Sequence, residues 1–316
     1  MILEEIKRVL IRYKGIFIIV IMFALSLSDY FKLFGDYITH EQYQVLSECY
    51  KEYEGELTKE KLMLIKNEYE SRIGGFGYEP SAYKSIYERA CSNMENMEKP
   101  FLVYDNGWRT LVANPADDKY LLLAFMILAI ISFGVDSGNK MQNIFNTSVN
   151  GRRRLVITRI SVYCLFAAMI VLLQGITEYF IAAQFMGLRC PNAPVQSYSG
   201  FGECALDISL IEAYALVLLM RFLGAVIGGL AICLVATIAR NLYISIVMGM
   251  LIFFEGYFLS GLYKYDYLLP QHLFVSYNTL NKADTGAVVL VSLIVIVLLL
   301  AGILAVNNEW NRRRLI

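Results

Sequence analysis

Six long apolar stretches constrain the fold more than any other feature of the 316-residue sequence. A helix needs about 20 mostly apolar residues to cross a hydrocarbon core about 30 Å thick. The chain is 57% hydrophobic and only 18% charged, whereas soluble domains are about 45–50% apolar and about 25% charged. The sequence therefore predicts an all-α polytopic membrane protein with six transmembrane helices in the lipid bilayer. The stretches cover residues 15–34, 120–135, 155–186, 208–239, 242–262 and 286–306.

Basic residues lie mainly on one side of these predicted spans. Thirteen lysines and arginines flank one face, whereas two short loops on the other face hold three. Because cytoplasmic flanks retain positive charge, we expect a multi-pass protein of the cytoplasmic (plasma) membrane with both termini inside. Residues 120–306 then form the five-helix remainder of the transmembrane domain. The basic segments are 1–14, 136–159, 239–241 and the cytoplasmic tail 307–316, and the loops with few basic residues are 188–207 and 263–285.

Residues 1–14 have the pattern of an amphipathic helix at the membrane interface. Ile2, Ile6 and Val9 fall on one face, and charged residues such as Lys7 and Arg8 fall on the other. Such a helix places its basic side chains toward anionic headgroups. An ordinary basic flank is one alternative, and a signal peptide cleaved near residues 24–26 is another. A cleaved signal would leave the termini on opposite faces.

Residues 35–118 are the one sizeable polar segment between apolar stretches. We expect an extracellular helical domain there, with helices over residues 40–53, 57–73 and 81–97 separated by glycines and a proline. The segment carries 9 basic and 16 acidic residues. A structural cap on the membrane domain and a substrate-handling domain are both open interpretations.

Four of the six cysteines are predicted to lie outside the cell, where disulfides persist. A disulfide between Cys190 and Cys204 would close a loop of about 15 residues, worth about 3 kcal/mol in the chain-entropy model. Cys49 and Cys91 are the natural second pair, although the sequence does not fix connectivity. Four free thiols are the alternative.

The sequence lacks the motifs of common catalytic and nucleotide-binding sites. It has no G-x-x-x-x-G-K-[ST] phosphate loop, no H-E-x-x-H and no C-x-x-C, and its two histidines, His40 and His272, lie outside the spans. Its net charge is zero, so no nucleic-acid partner is implied. We expect a chain that is not an enzyme and that binds neither metal nor cofactor itself.

Several polar side chains fall inside predicted spans, where a central charge costs about 2.5–3.5 kcal/mol. Such groups face protein or water, so they form either part of a substrate path or a buried polar cluster that holds helices together. Gly224 and Gly228 also give the fourth span a small-residue face suited to close helix packing. The polar residues are Gln174, Glu178, Glu212, Arg221 and Glu255.

The segment between the second and third spans is the most distinctive. A short apolar helix is followed by an Asn-Gly turn and a basic cluster. The segment resembles the membrane subunits of type-2 ABC exporters, in which a Phe at the end of span two is followed by an acidic residue, a Gly, a short helix and a Gly/Arg pair. The corresponding residues are Phe133, Asp136, Gly138, Ile144, Gly151, Arg152 and Arg159.

This resemblance implies the permease subunit of an ATP-driven ABC exporter that moves an amphipathic or hydrophobic substrate, such as a peptide, lipid or drug. Residues 136–154 would then be a coupling segment seated on a separate ABC ATPase, which would hold the ATP and Mg²⁺. A second permease subunit, identical or different, would complete the path. Two alternatives remain: a membrane sensor or assembly protein with a ligand-binding extracellular domain, and an ion-coupled transporter using Glu178, Glu212 or Glu255.

Overall fold

The computed structural model describes most of the first 254 residues, and these are mainly helical. Strands β1 (Gly55–Glu56) and β2 (Phe101–Leu102) pair antiparallel, with Gly55 opposite Leu102. The described residues are 2–12, 14–39, 41–73, 75, 78–113, 119–135, 149–201, 204, 206–239 and 241–254. The helices are α1 (Ile2–Lys7), α2 (Gly15–Thr39), α3 (Glu41–Tyr53), α4 (Lys59–Arg72), α5 (Tyr78–Asn96), α6 (Lys119–Ala129), α7 (Val149–Phe185), α8 (Leu210–Ala239) and α9 (Leu242–Phe253).

Two helices among the described residues are long and apolar enough to cross a membrane: Leu155–Phe185 within α7 and Leu210–Ala236 within α8. Ile2–Ile11 and Gly15–Ser28 meet the same criteria only as a pair, and they are bent by 62° relative to each other. The described residues are thus mainly helical and contain two candidate spans, whereas the sequence predicts six in the whole chain; the predicted sixth span lies outside the described residues. The shorter apolar helices are Lys119–Gly134 and Leu242–Phe253.

The apolar helices α6 to α9 share one buried core. Tyr163 of α7 and Phe253 of α9 are almost fully buried in it, on either side of α8. A Cβ built on Gly228 would lie 2.5 Å from the Phe253 ring, and one built on Gly229 would overlap the Tyr163 ring. Because small residues let helices approach closely, α8 contacts both neighbours through glycine. Gly224 on the same helix is also buried.

Residues 41–105 form a small helical unit with its own core. Helices α3, α4 and α5 pack around Ile65 and Ile86, which are fully buried, and the two short strands close the unit. Thr58 caps α4 by accepting a hydrogen bond at Oγ1 from the backbone N–H of Lys61 at 3.2 Å, which satisfies one of the N–H groups left free at a helix start. These helices begin and end within three residues of the predicted ones.

Two arginines attach the helical unit to the loop between α7 and α8. Arg89 of the unit pairs with Asp105 at 2.8 Å and donates from Nη2 to the carbonyl oxygen of Ser197 at 2.7 Å. Arg189 of the loop donates to the carbonyl oxygen and the Oγ of Ser47 at 3.1 and 3.2 Å. The helical unit is therefore fixed against the C-terminal end of α7 and the N-terminal end of α8, which this loop connects.

All six cysteines are free thiols, and no two lie at disulfide distance. Neither of the candidate disulfides, Cys49 to Cys91 or Cys190 to Cys204, is therefore formed in this structure. The Cys49 thiol lies beside Tyr83, eight residues before Cys91 on α5. Eight helical residues span about 12 Å, whereas the Cα atoms of a disulfide lie within about 7 Å. Burial also raises the pKa of the Cys49 thiol, which favours its protonated form.

Candidate functional site

Four polar side chains meet inside the apolar helices, and we call Ser26, Gln174, Glu178 and Arg221 the polar cluster. Arg221 of α8 donates from Nη1 to Oε2 of Glu178 on α7 at 2.8 Å. Gln174 donates from Nε2 to Oε1 of Glu178 at 2.9 Å and to Oγ of Ser26 on α2 at 2.8 Å. The cluster therefore connects three helices that are far apart in sequence.

Local packing brings these groups within reach of each other. Gln174 and Glu178 lie one helical turn apart, so their side chains share one face of α7. Gly175 between them allows α8 to approach, since a Cβ there would lie 2.6 Å from Cδ2 of Leu218. Tyr214 fixes the same contact by donating from Oη to the carbonyl oxygen of Gly175 at 2.7 Å.

The polar cluster is sealed from solvent in this conformation. The side chains of Arg221 and Glu178 are both 0% exposed, and Gln174 is equally buried. Within the described part of the chain, Oε1 of Gln174 has no hydrogen-bond partner. The opposite charges of Arg221 and Glu178 offset each other, which is the usual condition for charged groups among apolar helices. The arrangement can hold helices together, and a substrate would reach it only after the helices separate.

The structure brings together three of the five intramembrane polar residues that the sequence singled out: Gln174, Glu178 and Arg221. It adds Ser26, which sequence reasoning missed because one serine in an apolar helix is common. Among the residues of α2 whose burial the structure describes, only Gly15 and Ser26 are buried, so burial is the signal that marks Ser26. Glu255 lies outside the described residues.

Glu212 belongs to the start of α8 and not to the polar cluster. The N–H and the Oγ of Ser209 each donate to Oε2 of Glu212 at 2.8 Å, and the N–H of Glu212 lies 3.4 Å from Oγ of Ser209. This reciprocal arrangement is a capping box, in which a serine and a glutamate three residues later satisfy each other's backbone groups. Glu212 is exposed, so it does not take part in the buried polar cluster.

A second group of buried charges joins the N-terminal helix to the rest of the chain. Arg159 of α7 donates from Nε to Oε1 of Glu5 at 3.1 Å. Arg8 also pairs with Glu5, and it donates from Nη2 to the carbonyl oxygen of Ser132 at 3.2 Å. We call Glu5, Arg8 and Arg159 the N-terminal charge cluster. The Glu5 carboxylate thus joins α1 to α7, and Arg8 joins the same end of the chain to the helical segment Ile130–Gly134 that follows α6.

The N-terminal helix presents an unexpected face to the protein. Glu5 and Val9 are buried, whereas Ile2 and Leu3, predicted on the same apolar face as Val9, are more than half exposed. Arg8 was expected on the outer polar face, but its side chain is 12% exposed. The reason is the ion pair with Glu5, which places charged groups against α7 and leaves apolar side chains outside.

The predicted coupling residues are only partly described. Phe133 is buried against Tyr163, with ring centroids 5.7 Å apart, and Arg159 belongs to the N-terminal charge cluster. Gly151 and Arg152 lie in the first turn of α7. The others lie outside the described residues: Asp136, Gly138 and Ile144.

The described part of the chain contains no group of three or more His, Cys, Asp or Glu residues placed to hold a metal ion. Comparison with models of known protein families, with curated proteins and with solved structures gives no match to this chain.

Proposed function

We propose that this chain is the permease subunit of an ATP-driven exporter of the ABC type in the plasma membrane. It would work with a separate ATPase, which binds ATP and Mg²⁺, and with a second permease subunit, and it would move an amphipathic or hydrophobic substrate outward. In this proposal both termini are cytoplasmic and the helical unit lies outside. The order of elements supports it: a short N-terminal helix, an apolar helix, the helical unit, and then further apolar helices.

The observation that carries the proposal is the way both flanks of the predicted coupling segment, residues 136–154, are held. Ser132 lies just before this segment and accepts a hydrogen bond from Arg8, and Arg159 lies shortly after the segment and donates one to Glu5. A segment that transmits the movement of an ATPase to membrane helices needs firmly held ends, because loose ends would absorb the movement. The buried bonds to Glu5 and Arg8 supply such ends.

A membrane sensor is the second candidate, and one observation favours it. A cavity of about 590 Å³ lies between the helical unit and the end of α7, within the size range of small-molecule sites. An ion-coupled transporter has less support, because Glu212 caps α8 and both oxygens of Glu178 already accept hydrogen bonds.

The test is to look for a neighbouring reading frame that encodes a phosphate-loop ATPase, to produce the chain together with that ATPase and to reconstitute both in nanodiscs. We expect the two proteins to copurify and the chain to stimulate ATP hydrolysis. Replacing residues 136–154 by a glycine-serine linker of equal length should abolish both effects, and Arg152→Glu should weaken them. Lys66→Glu, a charge reversal on exposed α4, is the matched control and should behave as wild type.

Two results would contradict the proposal. One is ATPase stimulation that persists with the linker. The other is substrate movement by the purified chain in the absence of any nucleotide-hydrolysing protein.

A further inference from the structure

The cavity between the helical unit and the end of α7 has features of a preformed binding site, and we call it the junction cavity. Its volume is about 590 Å³. One wall is a single face of α3 that includes Tyr43, Ser47 and Lys51, spaced one turn apart. The opposite wall consists of the last residues of α7 and the loop that follows, including Phe185 and Arg189.

The polar part of the wall is held in place by hydrogen bonds. Arg189 is fixed by its two contacts to Ser47, and its backbone carbonyl accepts from Nε1 of Trp108 at 2.8 Å. Tyr104 accepts at Oη from Nδ2 of Asn106 at 2.7 Å and donates to the carbonyl oxygen of Tyr43 at 3.3 Å. A ligand would therefore meet polar groups that are already ordered, which lowers the entropic cost of binding.

The charges around the cavity favour an anionic group. Two cations line it, Lys51 and Arg189, with one carboxylate, Glu48. Glu54 lies 3.5 Å from Nη1 of Arg189 and compensates part of its charge, but Lys51 makes no ion pair with any described residue. Arg189 keeps 28% of its side chain exposed, so its guanidinium remains accessible. Guanidinium and ammonium groups bind carboxylate and phosphate oxygens through charge-assisted hydrogen bonds.

The remaining side of the cavity is apolar and continues onto the apolar helices. Phe185 is 47% exposed at the end of α7. Its ring meets Phe31 of α2 edge-on, with centroids 6.5 Å apart, and Phe31 is also about half exposed. An alkyl chain can therefore run from the polar wall along these two rings and onto the apolar surface of α2 and α7.

We propose that the junction cavity binds an amphipathic anion, with its carboxylate or phosphate headgroup at Lys51 and Arg189 and its alkyl chain along Phe185 and Phe31. The proposal concerns binding alone, so it does not depend on the permease role and would hold equally in a sensor. It assigns a ligand class to a cavity that the sequence patterns did not reveal.

The experiment uses the full chain in phosphatidylcholine nanodiscs and a dodecyl phosphate that carries a photoactivatable diazirine near its headgroup. The matched probe is a dodecyltrimethylammonium with the same diazirine. Labelled peptides are located by mass spectrometry. We expect the phosphate probe to label α3 and the 184–189 segment, and the ammonium probe to label them much less.

Variants and competing ligands test the headgroup and the alkyl-chain parts of the site separately. Lys51→Glu should reduce labelling of the cavity about two- to fivefold, and because Lys51 is exposed the variant should unfold at the wild-type temperature. Lys66→Glu on α4 should label as wild type. Excess dodecanoate should compete, which would show that the site accepts either anionic headgroup.

Three outcomes would overturn the proposal: equal labelling of the cavity by both probes, no effect of Lys51→Glu, or full displacement by inorganic phosphate alone, since the last would mean that the alkyl chain adds nothing. If Lys51→Glu failed to fold, Phe185→Ala would take its place. It should weaken competition by dodecanoate more than competition by octanoate.

Discussion

Arg221 on α8 and Glu178 on α7 form a 2.8 Å ion pair with no exposure to solvent, 43 residues apart in the sequence. Each of these charges would be costly among apolar helices if it were alone. Their proximity, with Gln174 and Ser26 completing the polar cluster, identifies the pair as a fixed connection between the two candidate spans in this conformation.

Breaking this pair should destabilise the protein. Arg221→Met leaves the carboxylate of Glu178 buried without its counter-charge, so we expect a loss of about 3–5 kcal/mol, measured as lower thermal stability in detergent. The double variant Arg221→Met with Glu178→Leu removes both charges and should recover most of this loss. Glu212→Gln, at the exposed start of α8, should have a small effect. If Arg221→Met assembled and unfolded as wild type does but abolished transport, the cluster would serve the substrate path.

The N-terminal charge cluster predicts a difference between two adjacent glutamates. Glu5→Gln removes the carboxylate with which both arginines form ion pairs. Glu4→Gln changes a carboxylate whose side chain is 77% exposed and lies 3.8 Å from Lys7. We expect only Glu5→Gln to increase hydrogen exchange in residues 2–12 and to reduce ATPase stimulation. Equal behaviour of the two variants would show that the cluster does not hold the flanks of the proposed coupling segment.

Close helix packing predicts opposite effects at two glycines. Gly229→Ala places a methyl group into the ring of Tyr163, so we expect destabilisation of about 1–3 kcal/mol from overpacking. Gly134→Ala is the control, because its Cβ would have ordinary contacts, the nearest at 3.5 Å. That change should be neutral or stabilising. Thermal unfolding of both variants tests the prediction, and equal losses would contradict it.

Alkaline pH should loosen the helical unit through Tyr83. Burial, followed by the negative charge of a Cys49 thiolate, raises the pKa of Tyr83 from 10.0 to about 12. A group with a raised pKa in the folded state contributes stability below its unfolded pKa, and this contribution is lost as the pH rises from about 10 to about 12. Tyr83→Phe should therefore reduce the loss of stability over this range, followed by circular dichroism at each pH. Tyr78→Phe, at an exposed tyrosine, should not.

The helices of the unit and the apolar character of α7 and α8 could be predicted because they depend on local pattern, such as apolar spacing, glycine and proline. Local sequence was also enough to single out Gln174, Glu178 and Arg221, since polar groups are conspicuous within apolar stretches. Which of them meet was not predictable. The pairing depends on the rotation of α7 and α8 about their axes, which the packing at Gly175 determines.

Glu212 is a case in which a local sequence signal was overlooked. Its position near an apolar run placed it with the intramembrane residues, although Ser209-x-x-Glu212 has the spacing of a capping box. The local signal for a helix start was present and was outweighed by the hydropathy of the segment. The partner of Arg159 was hidden for a different reason: Glu5 lies 154 residues away.

That separation has a consequence for biosynthesis. Glu5 leaves the ribosome 154 residues before Arg159, which is a delay of about 8–30 s at typical elongation rates. During this interval Glu5 of α1 lacks the guanidinium of Arg159, and the apolar residues of α1 are free to associate with lipid or chaperones. Helix α1 is thus made well before α7 but reaches its final position only after it, and the arrival of α7 completes the N-terminal charge cluster.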